Sequence, residues 1–155
     1  MIKEVQEKIA HCREERLPYL DLSHQGLTEI PSEIAALTWL ETLSLSDNHI
    51  TDIKPLSSLT RLHKLSLSHN KISDLRPLTP NEKMKFLFIQ DNLIADITPL
   101  GQLITLKKVV AHTNHIQQIE ALSSLPELVY LDVEENPLQD VKNLDTFDRL
   151  LVMKI

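Results

Sequence analysis

A chain of 155 residues suits one domain, and 42% hydrophobic with 25% charged residues is a globular balance that excludes intrinsic disorder. A formal net charge of −6 speaks against a nucleic-acid partner, because a basic face supplies most of the affinity for phosphate backbones. The single cysteine, Cys12, excludes an internal disulfide and makes a reducing compartment the easier reading.

The first predicted element is a helix over 2–16. Ile2, Val5, Ile9 and Cys12 fall at spacings of three and four, one apolar stripe on an otherwise charged segment. The stripe is expected to cover the open end of a core, which makes Cys12 a packing residue rather than a redox one. The segment has no apolar run of secretory length, and no stretch of the chain suffices to span a bilayer. With Met1 as the natural start, the expectation is a soluble, cytoplasmic protein without membrane contact. A secreted effector, and a piece of a longer protein, both stay open.

From Leu17 onward the chain repeats itself. Units begin near 17, 40, 62, 84, 106 and 128, with a partial unit at 150–155, and every step after the first is 22 residues. Each full unit carries L-x-x-L-x-L-x-x-N or a close variant, as in Leu40, Leu43, Leu45, Asn48 and Leu62, Leu65, Leu67, Asn70. The alternation has period two, so it predicts a short strand with one buried face. One unit cannot bury that face alone; stacked neighbours share an aliphatic column. Asn48, Asn70, Asn92, Asn114 and Asn136 are expected to form an internal ladder bonded to backbone groups at the turn. The first unit has Gln25 in that place.

The second half of units two to four reads I-x-D-I-x-P-L or a close variant, with Pro55, Pro77 and Pro99. Proline suits the first turn of a short helix, so 3₁₀ or helical turns are expected here, entered through Asp52, Asp74 and Asp96. The first unit, "LTEIPSEIAAL", carries its proline earlier, and "LQDVKNLDTF" in the last full unit loses it. Leu150, Met153 and Ile155 complete a seventh strand, an edge that invites pairing with another chain.

These residues resemble a leucine-rich repeat protein. The units with "ITDIKPL" and "ISDLRPL" are similar to the internalin and phosphatase-regulator class, and "LPYLDLSHQGLTEIPSEIAAL" resembles the opening repeat of bacterial leucine-rich proteins, Roco-type GTPases included. The resemblance covers nearly the whole chain. It implies an α/β solenoid: a right-handed horseshoe with a parallel concave β-sheet, short 3₁₀ or helical convex turns and an N-terminal capping helix. It also implies binding of proteins on the concave face. A shared scaffold does not name the partner. No phosphate-binding G-x-x-x-x-G-K-[ST] loop is present, and Gly26 and Gly101 stand alone.

Stacking dictates the leucines, so the residues between them are free to meet a partner. Units two and three are serine-rich there, whereas unit four places Phe86 and Phe88 on the outward side. Phe86, Phe88, Val110, Tyr130 and Val152 are expected to form one contiguous apolar patch. Asp132, Glu134 and Glu135 would supply an acidic rim, and Lys64, Lys85, Lys107 and Lys108 a basic one. The alternative is that the two phenylalanines pair across strands and merely stabilise the sheet. The candidate partner-binding set is Phe86, Phe88, Val110, Tyr130, Lys64, Lys108, Asp132 and Glu134.

A column of His24, Asp47, His69, Asp91, Thr113 and Glu135 raises metal binding, but a column in one plane rarely converges on an ion, and a solvated charge ladder is the better reading. A Ser68, His69, Asp91 constellation lacks the enclosed pocket and oxyanion donors that acyl transfer needs. The chain is expected to be non-catalytic, with no cofactor and no metal. It reads as a protein-binding module for a partner of unknown identity. The alternatives are a regulatory fragment of a larger protein such as a Roco-type GTPase, or a self-associating domain joined through the edge strand or the aromatic patch.

Overall fold

The computed structural model describes residues 2–139, 147 and 149–155. A helix, α1 (Ile2–Glu14), precedes a seven-stranded parallel sheet. The strands are β1 (Tyr19–Asp21), β2 (Thr42–Ser44), β3 (Lys64–Ser66), β4 (Phe86–Phe88), β5 (Lys108–Val110), β6 (Tyr130–Asp132) and β7 (Val152–Lys154). They lie side by side in chain order, each pairing with the next. The register follows the repeat: Leu20 faces Leu43, which faces Leu65, then Leu87, Val109, Leu131 and Met153.

Three-residue strands suffice because each coil contributes one inward leucine between two outward residues. Past each of the first six strands the next apolar residue also turns inward, so Leu22, Leu45, Leu67, Ile89, Ala111 and Val133 make a second buried column. Each of the first five coils then returns through a 3₁₀ turn, at Ser32–Ala36, Lys54–Ser58, Arg76–Leu78, Thr98–Gln102 and Glu120–Leu122. Pro55, Pro77 and Pro99 sit in the first turn of theirs, where a missing N–H costs nothing. Asp52, Asp74 and Asp96 accept the N–H of Lys54, Arg76 and Thr98, each at 2.9 Å, and so lead the chain into the turn. The proline-free run "LQDVKNLDTF" falls mostly outside the described residues.

The asparagine ladder forms as expected. Asn70 Oδ1 accepts the N–H of Ile50 at 2.9 Å, and its amide donates to Leu45 O, Leu67 O and Ser68 O. Asn92, Asn114 and Asn136 repeat this with Ile72, Ile94 and Ile116, whereas Asn48 serves Gln25 and Leu27. Each side chain thereby binds the turn of the preceding coil to its own.

Val5, Ile9 and Cys12 are buried against the first coil. Ile2 opens the helix, but its side chain lies outside the described set. The helix stops at Glu14 rather than 16 because Arg16 turns left-handed (φ 49°), with Leu17 N–H bonded to Cys12 O and Arg16 N–H to Arg13 O. Trp39 holds this corner: its indole N–H donates to Leu17 O at 3.0 Å, and the Arg16 guanidinium lies 5.2 Å from its ring centroid. Burial pushes the Cys12 thiol pKa up, which keeps it protonated and unreactive. The two glycines also have structural uses. Gly26 takes φ 63°, and a Cβ on Gly101 would come within 2.9 Å of Ala121 O.

Candidate functional site

The outward residues of the sheet fall into two rows about 4.8 Å apart from strand to strand. One row runs Tyr19, Thr42, Lys64, Phe86, Lys108, Tyr130, Val152. The other runs Asp21, Ser44, Ser66, Phe88, Val110, Asp132, Lys154. The pairing register therefore decides which candidate residues meet.

It brings the aromatics together with lysines rather than with one another. Lys64 Nζ and Lys108 Nζ each stand 5.7 Å from the Phe88 ring centroid, and Lys108 Nζ is 4.1 Å from that of Tyr130. The expected continuous apolar patch is thus an alternation of rings and ammonium groups. Lys108 lies inside it, between Phe86 and Tyr130, not on a rim. Phe86 and Phe88 both belong to β4, so they cannot form a cross-strand pair; their cross-strand neighbours are Lys64, Lys108, Ser66 and Val110. Phe86 is 39% exposed and Phe88 half-buried, while Val110 at 8% is largely covered.

The acidic end also differs from a simple rim. Asp132 is only 4% exposed and is held by Lys154 Nζ at 3.3 Å, which also lies 3.9 Å from Glu134. The bond from Asp132 raises the Lys154 pKa. Glu134 and Glu135 are exposed, and Glu135 accepts a hydrogen bond from Thr113 at 3.0 Å. On the basic side, Lys107 is engaged with Glu127 at 3.4 Å. Among the described residues, Lys64 and Lys108 have no carboxylate within ion-pair range.

The rest of the face holds a feature that a pattern of apolar residues does not reveal. Tyr19 and Phe88 wall a hollow of about 380 Å³, lined also by Asp21, Thr42, Ser44, Lys64 and Ser66. The sequence showed these serines only as a serine-rich stretch and gave them no part in the candidate site. Their smallness between two bulky rings is what makes the depression. Tyr19 is 59% exposed.

The histidine and aspartate column has a backbone explanation. His24, Asp47, His69, Asp91, Thr113 and Glu135 all take φ between 53° and 57°. Asp and His are among the side chains that tolerate this left-handed region best, so the column records the turn out of each strand. His24 pairs with Asp47 and His69 with Asp91, each at 3.5 Å. No cluster of three or more metal-ligating side chains occurs among the described residues. Ser68 donates to Ser46 Oγ at 2.9 Å rather than to His69, so the Ser–His–Asp arrangement does not assemble. Among the described residues, no helix is long and apolar enough to cross a membrane.

A stack of 22-residue coils, with parallel strands on one side, 3₁₀ turns on the other and an asparagine ladder between, defines a leucine-rich repeat solenoid. The family model for leucine-rich repeats (two copies) matches residues 16–58 and 38–80. Internalin C2 of Listeria monocytogenes strain 4b F2365 is similar at 35% identity and a TM-score of 0.82, over 88% of this chain and 60% of that one. Internalin F of the same strain is similar at 27% identity and a TM-score of 0.73, over 86% and 46%. The chain is a leucine-rich repeat protein of the internalin-like class. It spans less than two thirds of the length of either internalin. A plant peptide hormone receptor, RGFR1, solved in complex with RGF2, is similar at 26% identity and a TM-score of 0.73, over 88% of this chain and 24% of that one. No curated protein sequence matches the chain. The likeness of the opening repeat to Roco-type proteins rests on the sequence alone.

Proposed function

We propose that this chain is a non-catalytic interaction module that binds a partner protein on its concave sheet. The contact set is Phe86, Phe88, Val110, Tyr130, Lys64, Lys108, Asp132 and Glu134. One observation carries the reading: rings and lysines, the latter without a carboxylate partner among the described residues, alternate along the middle of a face where neither the core nor strand pairing requires them. Exposed aromatics with charged neighbours are the usual anchors of interfaces. In this reading Phe86 and Tyr130 make the contact, Val110 flanks Phe88 on the neighbouring strand, and Asp132 acts by holding Lys154. The complex of the plant receptor with RGF2 supports a ligand-binding use of the fold.

The test is affinity capture with wild type and with Phe86→Ser/Tyr130→Ser, each checked for intact folding by circular dichroism. The captured protein is then purified and its affinity measured directly. A partner bound by wild type and at least tenfold weaker on the variant supports the concave site. Equal affinity for both moves recognition to another surface. Light scattering of the same two proteins examines the alternative of self-association through this patch, which would appear as an oligomer lost in the variant.

A further inference from the structure

Resting on that reading, we infer what the partner presents: an extended peptide segment carrying a carboxylate side chain within a residue or two of an aromatic one. Two independent features of the sheet point to it. The first is charge. The chain as a whole is acidic, yet the centre of the sheet holds two lysines without a carboxylate among the described residues, both 5.7 Å from the Phe88 ring. Ammonium groups held near a ring and left without a counter-ion are complementary to an incoming anion.

The second feature is shape. Tyr19 stands on β1 and Phe88 on β4, three strand spacings across and two residues along the strand, roughly 16 Å apart at the backbone. The hollow's volume of about 380 Å³ falls within the range of side-chain and small-ligand sites. Thr42 and Ser44, on its floor, make no side-chain hydrogen bond among the described residues, so they are available to a polar edge such as a phenol or an indole N–H. Lys64 lines the hollow and also approaches Phe88, so it joins the two features. An extended segment advances about 3.3 Å per residue, so a carboxylate beside Lys64 and a ring in the hollow belong to residues close in sequence.

The test uses a display library of random 12-residue peptides selected on the purified chain, followed by fluorescence polarisation of the strongest binder. The expected motif pairs Asp or Glu with Trp, Tyr or Phe one or two residues away. Lys64→Glu is expected to weaken that peptide at least tenfold, and a peptide with its acidic residue changed to lysine is expected to regain affinity for Lys64→Glu. Ser44→Trp, which fills the hollow, is expected to weaken it by a similar factor. The inference is overturned if no peptide is enriched, or if enriched peptides lack the acidic residue. It is also overturned if Lys64→Glu and Ser44→Trp bind as wild type does. Should those two bind normally while Phe86→Ser/Tyr130→Ser does not, the concave site stands and only the acidic–aromatic occupant falls. Normal binding by all three variants removes both.

Discussion

The side-chain amide of Asn81 donates to the carbonyl of Leu59 at 2.7 Å, while its own oxygen, fully buried, has no partner among the described residues. The 22-residue register explains why this is unusual. The same column holds Leu37, Leu59, Leu103 and Leu125, all buried. The carbonyls of Leu56 and Leu59 already accept the N–H groups of Leu59 and Leu62, so they do not depend on Asn81. Asn81→Leu is therefore expected to stabilise the protein by about 1–2 kcal/mol, from the desolvation of an unsatisfied amide oxygen and the gain of apolar burial. Urea unfolding reads this as a higher midpoint with an unchanged slope. A lower midpoint would mean that the amide meets a need the backbone bonds do not.

Asn70 lies on the opposite side of the argument, because its oxygen is the acceptor of the buried Ile50 N–H. Asn70→Ala leaves the buried N–H of Ile50 without an acceptor and removes the amide bonds to Leu45 and Leu67. The expected loss is about 2–3 kcal/mol, the cost of a buried orphan donor plus the lost bonds. Asn136 makes the same pattern, but it is half-buried and two of its amide bonds are only partly buried. Asn136→Ala should cost roughly 1 kcal/mol. Equal losses in the two variants would contradict the dependence on burial.

The convex turns carry a pH dependence. The Arg76 side chain and backbone N–H both bond Asp74, which holds its carboxyl pKa down at about 2, from 3.8. Bonds from Thr98 lower Asp96, and bonds from Ser23 lower Asp21. A depressed folded value means that the charged form favours the native state. That contribution is complete above about pH 4, fades as the pH falls towards 2, and is gone below it. The melting temperatures of wild type and Asp74→Asn should therefore converge between pH 5 and pH 2. A constant gap across that interval would show that the Asp74–Arg76 pair does not act through its charge.

Thr113 occupies a left-handed backbone position at φ 55°, which is unfavourable for a β-branched residue. Thr113→Asn places there a side chain that tolerates the region, without adding a negative charge beside Glu135. The expected gain is roughly 1 kcal/mol, reduced by the loss of the exposed bond to Glu135. Denaturant unfolding checks the sign, and a loss greater than 1 kcal/mol would assign Thr113 a larger structural part than its geometry suggests.

The spacing of leucines made the fold legible because each strand, turn and ladder residue recurs at one register, and stacking permits only one way of burying them. Leu43, Asn70 and Pro77 could be placed from the sequence alone for that reason. The site was legible only in part. Which residues face outward follows from alternation, and Phe86, Tyr130 and Lys108 do share a row. What occurs between side chains does not follow from alternation. Lys108 inserts between two rings, Asp132 sinks beneath Lys154, and Thr42 with Ser44 become the floor of a hollow only because Tyr19 and Phe88 stand on either side. The column containing His24 and Asp47 does pair charges at the surface, but its composition also reflects backbone dihedrals that side-chain chemistry alone does not reveal.

Asp132 and Lys154 face each other across β6 and β7, and their ion pair offers the last test. The carboxylate is nearly enclosed, whereas the lysine side chain remains 44% exposed, so the pair lies between the buried and surface regimes. Lys154→Ala leaves the enclosed charge without its partner, and a loss of stability is expected, tempered by solvent screening at the lysine. Asp132→Asn alone removes the charge that needs compensation and should cost less. The double variant Asp132→Asn/Lys154→Met replaces the pair by groups of similar size and should recover most of the stability lost in Lys154→Ala. A double variant as unstable as Lys154→Ala, although methionine keeps an aliphatic stem, would mean that the charge pair itself holds β7 in place.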